Sequence, residues 1–511
     1  MRLDELGSKG VVELARMIAA KELSPVELTR DIIKGIEDRN DALNAVVVFA
    51  FEEALDNARA AERALMAGDK IGPLHGIPYA LKDCFDFKPG WRNTFGGVPA
   101  LKDYVSGAYS LYPQRADRAG AIAVGKTNSP SFGFRGTCDN FLFGPTRNPF
   151  NLALNSGGSS GGAAAAVAAG LLPFAEGGDG GGSIRIPAAW CGVYGFKQSF
   201  GRLPLHAGAN RFSGINPFIF EGSLTRNVAD TAYILGALAG EDPADPLSYP
   251  SHGDFMPATR RSIRGMRIAY SPNLGIHGVD PVIAERVADA ARAFEEAGAI
   301  VEQVDLDLHY TLRELSDLWC RLIVPNSLLT LKLLQAEGHD LLRDHPEDLP
   351  LQFREWLECC RPMTILQHLE DQAMRSEVFA TFQELFEHYD LLACPTVAAM
   401  PVANAVDGNT VGPSSVAGRP ADPLIGWCMT FLFNLTGHPA ASVPAGLSPD
   451  GLPVGLQLIG RSRADADVLA ASAAFEQLRP WASTYRICHN LPAAGATGGA
   501  GENEAMHGSA L

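Results

Sequence analysis

Residues 156–197 read SGGSSGGAAAAVAAGLLPFAEGGDGGGSIRIPAAWCGVYGFK, two Gly/Ser clusters joined by an apolar stretch of helix length. Ser159 and Ser183 lie 24 residues apart, each in backbone almost free of side chains. Glycine lets the main chain take positive φ and brings bare N–H groups close to a bound atom. A serine among such donors is suited to nucleophilic attack beside an oxyanion site. One cluster alone reads as a loop; two, with a helix between them, point to catalysis.

Outward from this stretch, strands and helices alternate. Ser24-Pro25-Val26-Glu27 predicts a helix start, with a serine cap, proline at the first helical position and Glu27 placed for a capping box. Leu28, Ile32 and Ile36 then form an apolar stripe. Strands are expected at 45–49, 77–82, 121–124, 266–270, 301–304, 391–394, 441–443 and 454–459. Helices are expected at 51–66, 161–172, 281–298 and 465–478, and residues 310–389 read as mostly helical. This alternation predicts an α/β fold, one large domain with a central twisted mixed sheet surrounded by helices. The domain is expected over 1–490, with its core motif at about 76–200, followed by a disordered tail over 491–511. The Gly/Pro-rich stretch 401–423 reads as a mobile loop over a site.

Bulk numbers exclude some classes. With 46% hydrophobic and 20% charged residues, the 511-residue chain has an ordinary globular composition. A net charge of −16 argues against nucleic acid or an anionic membrane as partner. The N-terminus lacks an apolar signal core, and the longest apolar run, 163–175, is too short to span a bilayer. Nine scattered cysteines without a CxxC pair fit reduced thiols, hence a cytoplasmic expectation. The histidines show no metal-ligand spacing, so neither a metal nor a cofactor is expected.

Three motifs compete for the chemistry. Gly120–Thr127 matches the phosphate-loop pattern GxxxxGK[ST], but its AIAV interior reads as a strand, against nucleotide binding. Gly157–Gly161 matches GxSxG, which would make Ser159 the nucleophile of an α/β-hydrolase-type esterase with His438 or His489 as base. Residues 146–156 do not read as the strand that elbow needs, and the second cluster is left unexplained. The third reading pairs the serines with Lys82, which ends the buried run IPYAL. Desolvation there would favour the neutral amine that a Ser-Lys mechanism needs.

Residues 157–197, with Gly76-Ile77-Pro78 leading into Lys82-Asp83, strongly resemble the amidase signature family. Gly125–Asn128, Arg147-Asn148-Pro149 and Gly437–Ala440 extend the likeness to about residue 488. The resemblance implies a Ser-cisSer-Lys triad of Ser183 (nucleophile), Ser159 (relay, after a cis Gly158–Ser159 bond) and Lys82 (base). It implies an oxyanion hole from Gly180, Gly181, Gly182 and Ser183, with Gly136, Thr137 and Cys138 as pocket walls or as structural residues. Where the family commonly has Gly-Thr-Asp-Thr-Gly-Gly-Ser, this chain has Gly at 178 and 180, predicting a wider pocket. Ser160 either assists the nucleophile or caps the helix after it, while Asp179 and Arg185 are expected to hold the loop.

The implied activity is hydrolysis of a small to medium linear or aryl carboxylic amide, carbamates and esters being open to the same chemistry. Segments 310–389 and 401–423 are expected to set specificity. A homodimer is compatible with this reading. The family alternative is the glutamine-hydrolysing subunit of a tRNA-dependent amidotransferase.

Overall fold

Eleven strands form one mixed sheet at the centre of the molecule. In chain order they are β1 (Val46–Phe49), β2 (Pro78–Lys82), β3 (Ile122–Thr127), β4 (Phe174–Asp179), β5 (Tyr194–Lys197), β6 (Phe220–Thr225), β7 (Arg267–Tyr270), β8 (Ile300–Gln303), β9 (Leu391–Pro395), β10 (Ala440–Leu447) and β11 (Pro453–Gly460). Their spatial order is β1-β3-β2-β4-β6-β5-β10-β11-β9-β7-β8. The structure, a computed structural model, describes residues 9–488 except 206–209, 213 and 252. The predicted tail and His489 lie outside the described residues.

Two apolar cores flank the sheet. One packs the helices Pro25–Leu43 and Gly161–Ala168 against β2, β3 and β4. The other gathers the helices Leu312–Ala336, Leu351–Cys360 and Ile365–His388, so 310–389 is helical as expected. Within the first of these helices the leucines are split between inside and outside: Leu331 and Leu334 are buried, whereas Leu333 is exposed. No helix among the described residues is long and apolar enough to cross a membrane.

Local chemistry explains the elements and corrects several readings. Ser24 Oγ accepts from the amides of Val26 (3.0 Å) and Glu27 (3.2 Å), fixing the start of Pro25–Leu43. The Glu27 amide bond is one half of the expected capping box, and the reciprocal bond from the Glu27 side chain is not formed; the Ser24 hydroxyl itself donates to Glu62 on the neighbouring helix. Strand β3 continues through Gly125, Lys126 and Thr127, which rules out a phosphate loop there. Lys126 is buried within that strand and donates to Asp86 O (2.9 Å) and to Asn93 Oδ1 (2.5 Å). Stretch 401–423 is tied down: Asn404 donates to Leu154 O (2.9 Å), and Thr410 Oγ1 donates to Asp139 Oδ2 (2.6 Å).

Candidate active site

Strands β2 and β4 run parallel as neighbours, with Ala80 opposite Ala175. Their C-terminal ends therefore emerge side by side, one carrying Lys82 and the other opening into the loop 180–184. Helix Gly161–Ala168, wholly apolar and buried, packs below and brings the first Gly/Ser cluster to the same edge. Open α/β sheets place ligand sites at this edge because loops from several strands converge there.

Lys82 Nζ and Ser159 Oγ are hydrogen-bonded at 2.7 Å, and both side chains are buried. The Gly158–Ser159 peptide is cis. A narrow cavity of about 90 Å³ opens onto Lys82, Ser159 and Ser183 together, along with Gly180 and Gly181. Ser160 N donates to Ser183 O at 3.1 Å, stitching the two clusters to each other. Gly133, at φ 64°, passes close to this pair: a Cβ there would sit 3.2 Å from Ser159 Oγ. Only glycine meets both demands.

The loop around Ser183 is held by a buried ion pair. Asp179 Oδ1 accepts from Gly182 N (2.7 Å), Arg185 Nη2 (2.9 Å) and Asn434 Nδ2 (2.9 Å). Oδ2 accepts from Ile184 N (3.2 Å) and Arg185 Nε (3.0 Å). Burial alone would raise this carboxyl, but the Arg185 guanidinium and its other donors hold it at about 2. From the far side, Thr430 Oγ1 donates to Gly181 O (2.6 Å) and Trp319 Nε1 to Gly180 O (2.8 Å). In a trans peptide the N–H lies opposite the carbonyl, so holding Gly180 O from outside turns the Gly181 N–H the other way.

The anion-site expectation is thereby refined. The Gly182 amide is taken by Asp179 and is no free donor. The amides of Gly180, Gly181 and Ser183 have no acceptor among the described residues. Unengaged amides beside a hydroxyl can stabilise developing negative charge. The pocket-wall expectation divides too. Gly136 lines the cavity, whereas Thr137 and Cys138 do not. Thr137 Oγ1 donates to Thr410 O (2.6 Å), its backbone abuts Gly158, and Cys138 is buried beside Gly161. No residue of 401–423 lines the cavity. Ser160 Oγ neither caps its helix nor enters the cavity, but donates to Gly178 O at 3.2 Å.

The esterase alternative loses the one of its two candidate bases that is described. His438 lies outside the cavity, with Nδ1 2.9 Å from Thr436 Oγ1 and Nε2 3.1 Å from Gln383 Oε1. Burial, then nearby Lys197, lowers it to about 3. Residues 146–156 form a short hairpin, Arg147–Asn148 with Asn151–Asn155, not a sheet strand leading into an elbow.

Phe132, Phe134, Ile186, Ile219, Trp319 and Ile323 make the cavity's apolar walls. Trp319 and Ile323 come from the segment 310–389 expected to set specificity, whereas Ile186 and Ile219 were not singled out in the sequence. Behind Lys82, its amide donates to Glu176 Oε2 at 2.6 Å, and Asp86 and Glu221 complete a buried carboxyl group. Burial raises all three, which disfavours a fixed anion next to the lysine. Among the described residues no His/Cys/Asp/Glu cluster could hold a metal ion.

Comparison with known proteins agrees with this geometry. Residues 27–469 match the Amidase family model. The chain belongs to the amidase family. This amidase is 37% identical to an acylamidase of Rhodococcus erythropolis over 474 residues, covering 92% of this chain and 95% of that one. It is 34% identical to a glutamyl-tRNA(Gln) amidotransferase subunit of Moorella thermoacetica, covering 91% and 95%. Among solved structures, the amidase superposes on a bacterial aryl acylamidase of the amidase signature family with a TM-score of 0.92 and 46% identity, covering 95% and 99% of the two chains.

Proposed function

We propose that this amidase hydrolyses an apolar carboxylic amide, aryl or alkyl, through an acyl-enzyme on Ser183. The observation that carries the reading is the Lys82–Ser159 hydrogen bond at 2.7 Å on the floor of the cavity that Ser183 shares. Lys82, as a free amine, takes the Ser159 proton while Ser159 takes that of Ser183. Ser183 Oγ then bonds to the carbonyl carbon. The oxyanion is met by the amides of Gly180, Gly181 and Ser183, each worth about 2.7–4 kcal/mol in comparable hydrolases. The proton returns through Ser159 to the leaving nitrogen, the C–N bond breaks, and the amine departs. Water, losing a proton along the same route, attacks the acyl carbon and releases the acid.

The walls support the substrate class. The cavity has aromatic and branched aliphatic sides, and its one carboxylate, Asp179, is neutralised by Arg185. That leaves no anion for the ammonium of a free amino acid, which disfavours glutamine despite the amidotransferase relatives. The similarity to acylamidases points the same way.

The test is a panel of anilides, aliphatic amides, carbamates, esters and glutamine, each run with Ser183→Ala as control. The expected result is anilide or alkyl-amide turnover abolished by Ser183→Ala, with Lys82→Ala and Ser159→Ala also inactive. Full activity of Ser183→Ala, or turnover confined to glutamine, overturns the proposal.

A further inference from the structure

A second cavity, about 800 Å³, lies against the helix Ile365–His388 and shares no lining residue with the Ser183 cavity. It is lined by Arg375, Arg463 and His368, and by no Asp or Glu. For a chain of net charge −16 this is a local inversion of sign.

Arg375 is the centre of it. The residue is only 8% exposed. Its Nε donates to Leu435 O (2.6 Å) and its Nη1 to Ile215 O (2.7 Å), anchoring the helix, while the guanidinium lies 4.2 Å over the Phe218 ring. Nη2 has no partner, and no salt bridge neutralises the charge among the described residues. Burial, with no opposing anion, lowers the group to about 10. The nearby acids are committed elsewhere: Asp371 to Arg321 and Asp465 to Arg202. Two more polar groups at the same cavity, Ser199 Oγ and Tyr249 OH, interact with each other and have no further partner among the described residues. A buried charge-bearing donor without an acceptor is costly, so Arg375 Nη2 points to an oxygen-rich acceptor absent from the protein itself.

We propose that this groove binds a small organic carboxylate, its oxygens on Arg375 Nη2 and on the Ser199 and Tyr249 hydroxyls. The ligand's apolar body lies over Phe218, Leu369 and Phe379, the last two exposed on the groove's helix. The volume falls in the range of small-molecule sites. A single buried guanidinium with neutral hydroxyls matches one negative charge, and the aromatic flank favours an amphipathic anion over a bare inorganic one.

Titration calorimetry on the full chain tests it, with phenylacetate, its neutral analogue 2-phenylethanol, and inorganic phosphate as probes. Phenylacetate is expected to bind, and the other two to bind at least about tenfold more weakly, as expected when a charged hydrogen bond or an apolar contact is missing. Arg375→Gln should weaken phenylacetate by about tenfold or more. Because Arg375 also anchors Leu435 and Ile215, a second protein, Ser199→Ala with Tyr249→Phe, removes two hydroxyls whose only protein partners are each other and should weaken it several-fold. Phenylacetate failing to bind, binding unchanged in both variants (which places it outside this groove), or phosphate or phenylethanol binding equally well each overturns the proposal.

Discussion

Asp179→Asn is the most revealing single change. The substitution keeps shape but replaces one acceptor oxygen by an NH2 group. Whichever way the amide turns, a donor then faces either Gly182 N and Asn434 or Ile184 N and Arg185 Nε. It also leaves the Arg185 charge, wholly buried, without its counter-ion. Removing one partner of a buried ion pair costs about 3–5 kcal/mol. At roughly 2.1 cal/mol/K per residue, the 511-residue chain has a melting entropy of about 1 kcal/mol/K. Tm should therefore fall by about 3–5 °C. Because the same carboxylate positions Gly182, Ser183 labelling by a fluorophosphonate at 20 °C should slow by about tenfold or more, the scale of one lost oxyanion donor or beyond. Differential scanning calorimetry and timed labelling read the two effects separately. A variant that melts within 1 °C of the parent and labels at the same rate refutes the claim that this ion pair builds the nucleophile loop.

Three further outcomes follow from the geometry. Gly182 has φ 129°, and a Cβ there would lie 1.9 Å from Thr430 Oγ1, so Gly182→Ala should cost more than about 2 kcal/mol of stability and most of kcat, read by denaturant titration and steady-state kinetics. A Cβ at Gly180 would press on the flexible end of Ile323 at 3.2 Å, so Gly180→Thr should lower kcat/KM for bulky anilides more than for acetamide, with Ile323→Ala restoring the difference; an equal loss on both substrates argues against a wall role. Burial lowers His277 to about 4 and, with Lys197, His438 to about 3. The unfolded histidines, at about 6.5, take protons first, so the stability that each contributes is present above that pH and is lost as pH falls toward the folded value. Between pH 7 and 5 each should remove about 2 kcal/mol. Buried carboxyls such as Glu476, raised to about 7, act in the opposite sense, so the measurement is the difference between parent and His438→Gln denaturation midpoints at the two pH values.

How much could be read beforehand depended on how local the signal was. The Ser24 cap, the Asp465–Leu478 helix and the short apolar strands announced themselves through neighbours in sequence. Strands β4, β5 and β6 did not, because FAEGGD, YGFK and FEGSLT carry glycine and charge that a strand acquires only once buried in a sheet. The Lys82–Ser159 contact was foreshadowed by motif context, and the structure joins the two. Trp319, Thr430 and Asn434 reach the nucleophile loop from more than a hundred residues away through one to three hydrogen bonds each, and no periodicity marks such a residue in advance. The Gly182 amide looked available because nothing in GGDGGGS says which N–H the aspartate will occupy.

Lys82 and the Ser183 loop hang from adjacent parallel strands, whereas Trp319 and Ile323 belong to the separate helix Leu312–Ala336. On the proposed reading, the reacting groups and one wall of the cavity are carried on different pieces of chain, tied together by the Trp319–Gly180 hydrogen bond. Exchange of the helical piece with Trp319 kept would then offer a route to new acyl or amine preferences while the bond-breaking apparatus stays where the sheet has put it.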